Sequence, residues 1–175
     1  MYFSRAISAL AVAIALAGCG SHKTTVLTST GAETVTTSQD GKTATVDTKD
    51  GTMTVGGDVD PASLGAPIYP GANKNGSGNI AVSGANGAGA MASFKTGDPF
   101  DKVYAFYKAH LPADAEKSKV EENGTMVAAF QIIDTKSGDQ TSVMVEGKAV
   151  ETDILITHGS GKYGASSSPT EDATP

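Results

Sequence analysis

The chain has 175 residues, 39% hydrophobic and 18% charged, with 21 Gly, 1 Cys and no Trp. That composition suits one modest domain with polar flanks and excludes two large ones, while a lone cysteine excludes a disulfide framework or a multi-cysteine metal site. Lys and Arg total 13 against 19 Asp and Glu, a formal net charge of −6, so nucleic acid is not an expected partner, and no stretch of about 20 apolar residues offers a membrane-spanning helix.

Residues 1–5 carry one positive charge, and Ala6–Ala17 (AISALAVAIALA) is apolar apart from Ser8. That run is too short to span a bilayer and has the length of a secretory h-region, so residues 1–18 read as a signal peptide. The following Leu16-Ala17-Gly18-Cys19 resembles the lipobox of bacterial lipoproteins. The resemblance implies cleavage before Cys19 and palmitate-type acylation of that residue, which makes membrane lipid the first expected partner. Several acyl chains on one residue anchor a protein durably, at about 0.8 kcal/mol per buried CH₂. Gly20 and Ser21 stand where the resemblance would place the Asp of inner-membrane retention, so the implied destination is the outer membrane of a diderm envelope.

Residues 19–23 then form a tether, and 24–57 are dense in Thr and Val, which favour strands. Asp40-Gly-Lys-Thr-Ala-Thr-Val46 is echoed by Asp50-Gly-Thr-Met-Thr-Val55. Each Asp-Gly favours a tight turn, and the alternation puts Ala44, Val46, Met53 and Val55 on one face of a small β-meander. The apolar face is thin, so the meander reads as a polar stalk leaning on the next domain. Residues 58–72 hold Pro61, Pro67 and Pro70 and read as an extended linker, with Ile68 and Tyr69 docking on the core.

The main domain is expected over 73–158. Strands are predicted near 79–83 and 90–95, joined by a flexible Gly84–Gly89 loop. A helix follows, capped by Asp98, with Pro99 at its first position and Pro112 beyond its end. Phe100, Val103, Tyr104, Tyr107 and Leu111 recur on one helical face. Four further strands are predicted near 115–122, 125–134, 140–146 and 151–158, with short turns that imply antiparallel neighbours. The fold class these elements predict is α+β: an antiparallel sheet with one packed amphipathic helix, preceded by the Thr-rich β-meander. Residues 159–175 have almost nothing to bury and read as a disordered tail.

Pro67-Ile-Tyr-Pro-Gly-Ala72 and the helix ending Phe106-Tyr-Lys-Ala-His-Leu-Pro112 resemble a group of bacterial lipoproteins and exported proteins that share a Y-P-G-A turn and an F-Y-x-x-x-L-P helix. The resemblance implies a fold of the kind just described and brings no assigned activity, hence no catalytic residue.

Catalytic signatures are sparse. Gly76–Ala81 and Gly87–Ala92 both fit G-x-G-x-x-A, but neither stands between a predicted strand and a predicted helix, as a phosphate-cradling loop requires. His22, His110 and His158 are scattered; His110 suits the carbonyls at the helix end, and His158 with Ser160 could form a dyad only with an acid and an oxyanion hole. The acidic pairs Glu121-Glu122 and Asp58 with Asp60 supply too few oxygens for calcium. Phe106, at the edge of the helical stripe, either widens the buried face or serves as a contact for a partner. No cofactor and no metal is expected. The expected function is a non-enzymatic, lipid-anchored envelope module that binds or scaffolds an envelope protein or polymer. The alternative is a small periplasmic hydrolase or ligand-binding protein whose site assembles from distant residues.

Overall fold

The computed structural model describes residues 20–28, 31–75, 78–147 and 150–161. Residues 1–18, expected to be a signal peptide, Cys19 and residues 162–175 lie outside them. The strands are β1 (His22–Thr28), β2 (Gly31–Thr37), β3 (Ala44–Thr48), β4 (Gly51–Val55), β5 (Asn73–Lys74), β6 (Ile80–Gly84), β7 (Gly87–Thr96), β8 (Glu116–Glu122), β9 (Thr125–Ile133), β10 (Gln140–Gly147) and β11 (Thr152–Gly159). The single helix, α1, is Phe100–His110, and Pro61–Leu64 forms one 3-10 turn.

All eleven strands belong to one antiparallel sheet in the order β1-β2-β3-β4-β6-β7-β11-β10-β9-β8, with β5 beside β7. Among the described residues strand accounts for 53% and helix, the 3-10 turn included, for 12%, so the fold is β-rich, and the expected α+β class is corrected. The meander is where the expectation fails. Its apolar residues do share a face, with Val46 opposite Met53 and Ala44 opposite Val55. The meander does not lean on a neighbouring layer, however, because β4 hydrogen-bonds along β6 from Gly51↔Gly84 to Val55↔Ile80. A Cβ on Gly51 would sit 2.2 Å from the Ser83 carbonyl oxygen, and one on Gly84 2.2 Å from that of Asp50. Only glycine at both positions lets the two backbones meet. Buried Asn79 ties the other end: its amide donates to the Gly57 carbonyl, its side-chain oxygen accepts from the Ser93 amide, and its own carbonyl accepts from Gly56.

The predicted Gly84–Gly89 loop is also shorter than expected. Gly84 pairs Gly87 and the strands run on, leaving Ala85-Asn86 as a two-residue turn. Gly87–Ala92, the second dinucleotide-like pattern, lies within β7. Asn123-Gly124 makes the expected hairpin turn, with φ of 52° and 79°. Gly159, expected to open the tail, ends β11 opposite Gly89 and Gln140.

The core lies on one face. Ala90, Ala92 and Phe94 of β7, Ile154 and Ile156 of β11, Val143 and Val145 of β10, and Ala128 and Phe130 of β9 are buried on it, covered by the 3-10 segment toward β7 and by α1, which contributes Phe100, Val103 and Tyr107. Tyr104 of the predicted stripe is only half-buried. Its ring stacks on Phe100, its hydroxyl donates to Glu116, and the Lys119 ammonium lies 4.1 Å from its centroid. Lys108 and Tyr104 together hold the Glu116 carboxyl below its ordinary range, fixing the helix to the edge strand β8.

Asp98 does not cap the helix. Its carboxylate accepts from the Tyr69 hydroxyl at 2.7 Å and from Lys102 at 3.0 Å, and these two partners, Tyr69 foremost, hold its pKa below the ordinary 3.8. Buried Thr96 and Thr152 grip its backbone instead: the Asp98 amide donates to the Thr96 hydroxyl, and the Thr152 hydroxyl donates to the Asp98 carbonyl. Tyr69 is buried and Ile68 packs partly buried against the core, as the sequence indicates. Leu64, fully buried, ends a 3-10 turn that the expected extended linker lacks, and Asp60 caps that turn through the Ala62 amide at 3.0 Å.

Tyr107 is 0% exposed and its hydroxyl finds no hydrogen bond of good geometry among the described residues; burial pushes its ionisation well above the ordinary tyrosine range, against a smaller lowering by the Tyr69 backbone. Tyr107→Ala will therefore cost about 3–5 kcal/mol in denaturant unfolding, whereas Tyr107→Phe, which deletes only the orphan hydroxyl, will be neutral or stabilising. Asp98→Asn will destabilise at about pH 7, and the gap from the parent chain will narrow in midpoints measured as pH falls below the ordinary 3.8. A lowered folded pKa contributes stability above the unfolded value and loses it as pH falls through the folded one.

Candidate functional site

Beyond the edge of α1, the core face of the sheet continues across β7, β6 and β4 with side chains too small to fill it. Ala88 and Ala90 of β7, Ala81 and Ser83 of β6, and Thr52 and Thr54 of β4 share this face through their pairings. The segment 58–63 runs opposite them, and between the two lies an open groove of about 440 Å³ that also reaches His158. Alanine and glycine on the strands make its floor shallow, wide and mostly apolar, with the Thr and Ser hydroxyls dotted along it.

His158 is the histidine of this groove, and it is half-buried on the core face opposite Ala90. Its Nδ1 lies 2.9 Å from the Thr141 hydroxyl of β10. Gly65, in the left-handed conformation at φ 64°, passes directly over the pair: a Cβ there would stand 2.4 Å from the Thr141 Oγ1 and 2.5 Å from the His158 Nδ1. Ser160 faces elsewhere, its hydroxyl accepting from the Ala88 amide and donating to the Ala88 carbonyl. The His158–Ser160 dyad, which the sequence made conditional on an acid and an oxyanion hole, is not assembled. Thr141 does hydrogen-bond the imidazole, but it is buried under Gly65, where a substrate carbonyl has no approach.

The other expected groups lie apart. Asp58 pairs with Lys74, and Asp60 caps its turn. His110 directs Nδ1 to the Phe106 carbonyl at 2.8 Å, the helix-end role its position indicates. His22 opens β1, at the far end of the sheet order from α1's packing strands. Among the described residues no three His, Cys, Asp or Glu side chains converge as metal ligands. Phe106 is half-buried, meeting the rings of Tyr69 and Tyr107 edge-on at 5.2 Å and stacking on His110 at 4.2 Å. Three ring neighbours place it in the wider packed face.

Thr141 and Gly65 escaped the sequence reading. Thr141 shares its strand parity with Val143 and Val145, which was legible as an inward position, but nothing local indicates that Gly65 crosses above it. Chemically, the groove offers a mostly apolar floor, a few hydroxyls and one imidazole to a small ligand. Comparison with protein families, curated proteins and solved structures returns no match to this chain.

Gly65→Ala will cost about 1–2 kcal/mol from the left-handed backbone alone. It will also break the Thr141–His158 contact, read as a shifted imidazole resonance of His158 at constant pH.

Proposed function

We propose that the protein is a lipid-anchored module of the bacterial envelope whose sheet binds or scaffolds another envelope component without catalysis. The lipobox-like Leu16–Cys19 supports the anchor, and the placement of β1 supports the architecture. His22, the first residue of β1, follows Cys19 by three residues, a span of about 10 Å at most. The edge strand would thus stand at the membrane, with the helix-covered half of the sheet at the other end of the strand order. Ten strands at about 4.8 Å spacing make a blade roughly 45 Å across. The groove at His158 is the observation in favour of the alternative, a small ligand-binding protein or hydrolase.

The anchor is tested by fractionation: the parent chain will stay in the salt-washed membrane pellet and Cys19→Ala will leave it. An Ala variant that stays in the pellet would refute the anchor. The non-catalytic part is tested on the extracted protein with ester, peptide, phosphate and glycoside substrates. Saturable turnover that disappears in a folded His158→Ala variant would establish the alternative.

A further inference from the structure

The face of the sheet opposite α1 and the 3-10 turn carries an apolar stripe, interrupted between β7 and β11 by Ser93 and Thr157. Val35, Val46, Met53 and Val82 are successive cross-strand neighbours on β2, β3, β4 and β6. Beside them Ala44, Val55, Ile80 and Met91 form a second row reaching β7. Leu155 and Met144, a cross-strand pair, continue the stripe onto β11 and β10. Among the described residues no helix or turn covers this face. Met53 and Met144 are 39% and 42% exposed, and the others are half-buried by one another. An antiparallel sheet with one packed face ordinarily shows polar residues on the other, and an apolar tract of this breadth marks a contact surface.

We infer that this face packs against the same face of a second copy, forming a two-layer sandwich with the helices outside. Three observations select that occupant. The first is extent: seven strands at about 4.8 Å, with two to three outward residues each, make a plane of roughly 500–700 Å². The side chains standing on it bring the accessible area toward the ~800 Å² per partner of a standard interface. The second is supply. Residues 162–175 (KYGASSSPTEDATP) carry no apolar run, and the apolar segment 6–17 precedes Cys19 on the expected leader, so neither stretch is suited to lie on the face. This step alone rests on the anchored reading. The third is charge. Glu33, Glu122, Glu146 and Asp153 lie on this face around the stripe, with Lys95 the cation among them, whereas surfaces that lie on membranes present Lys and Arg. Sheets facing across such an interface stand about 10 Å apart, and a two-fold axis at the centre of the stripe falls on β6.

Strand β6 supplies its own control, because Ile80 and Val82 point to this face while Ala81 and Ser83 point to the groove. In cells expressing the full chain, Ile80→Cys and Val82→Cys will give a covalent homodimer with a short bismaleimide, and the exposed Ser83→Cys will not. Adding Met53→Lys and Met144→Lys to the Val82→Cys chain will reduce its dimer at least tenfold without loss of protease resistance. Three results would each overturn the inference. One is back-face thiols that label freely with a monofunctional maleimide and stay monomeric. Another is equal linking by Ser83→Cys. The third is thiols at both positions shielded until detergent is added and never linked, which would put the face on lipid. None of these depends on whether Cys19→Ala leaves the membrane, so anchor and interface fail separately.

Discussion

A single three-turn helix must serve an eleven-stranded sheet. Eleven residues at 1.5 Å each make α1 about 16 Å long, enough to lie across three or four strands at about 4.8 Å. The topology spends that length efficiently: the chain leaves β7, crosses as α1, enters β8 at the far edge and returns through β9 and β10 to β11 beside β7. Tyr107, Val103 and Phe100 are thereby buried over β9, β10 and β11. The linker extends the cover by one more strip, with Val59, Leu64 and Tyr69 as its buried hydrophobic residues and Asp98 as the tie between Tyr69 and Lys102.

Past that strip the sheet has no second layer, and its two faces respond differently. On the core side the remaining strands turn polar. The Thr25 and Thr34 hydroxyls lie 3.3 Å apart, as do those of Thr45 and Thr54, and Thr52 donates to Asp47 at 2.8 Å. Hydroxyls paired across strands satisfy one another and meet water without cost, so this face needs no cover. The opposite side keeps its valines, isoleucine and methionines, for which water is a poor neighbour. The sheet's edges differ as well. β8 is crowded with Glu and Lys and carries a bulge between Glu116 and Ser118, both devices that discourage further strand pairing.

Local chemistry made several features legible in advance. Asn123-Gly124 specifies a tight hairpin turn by its tolerance of positive φ, and the spacing of Phe100, Val103 and Tyr107 specifies a helix with one buried stripe. Tyr69, bulky between prolines and glycine, had nowhere to go but the core. Asp98 shows the limit of such reasoning. Its position before Pro99 suits a cap, but a buried tyrosine 29 residues earlier competes for the same carboxylate and wins, because the hydroxyl of a docked Tyr69 also needs an acceptor. The groove was illegible for the same reason: Thr141, His158 and Gly65 come from three distant segments, and their meeting is set by strand register and by where the linker crosses.

The sequence by itself determined most of the strands, the helix, the Asn123-Gly124 turn and the alternation that divides each strand into two faces, because these follow from propensities and periods within a few residues; β5, the 3-10 turn and the tight Ala85-Asn86 turn it did not show. It also carries the lipobox-like segment whole, since a leader is read as a linear stretch. Only the tertiary structure decided that the Thr-rich meander joins the main sheet, because that depends on Gly51 meeting Gly84 across 33 positions of chain. The same pairing decided which side of each strand became core, and left the Val46–Met53–Val82 side open. Alternation states that a strand has two faces, whereas the position of the one available helix states which of them is covered.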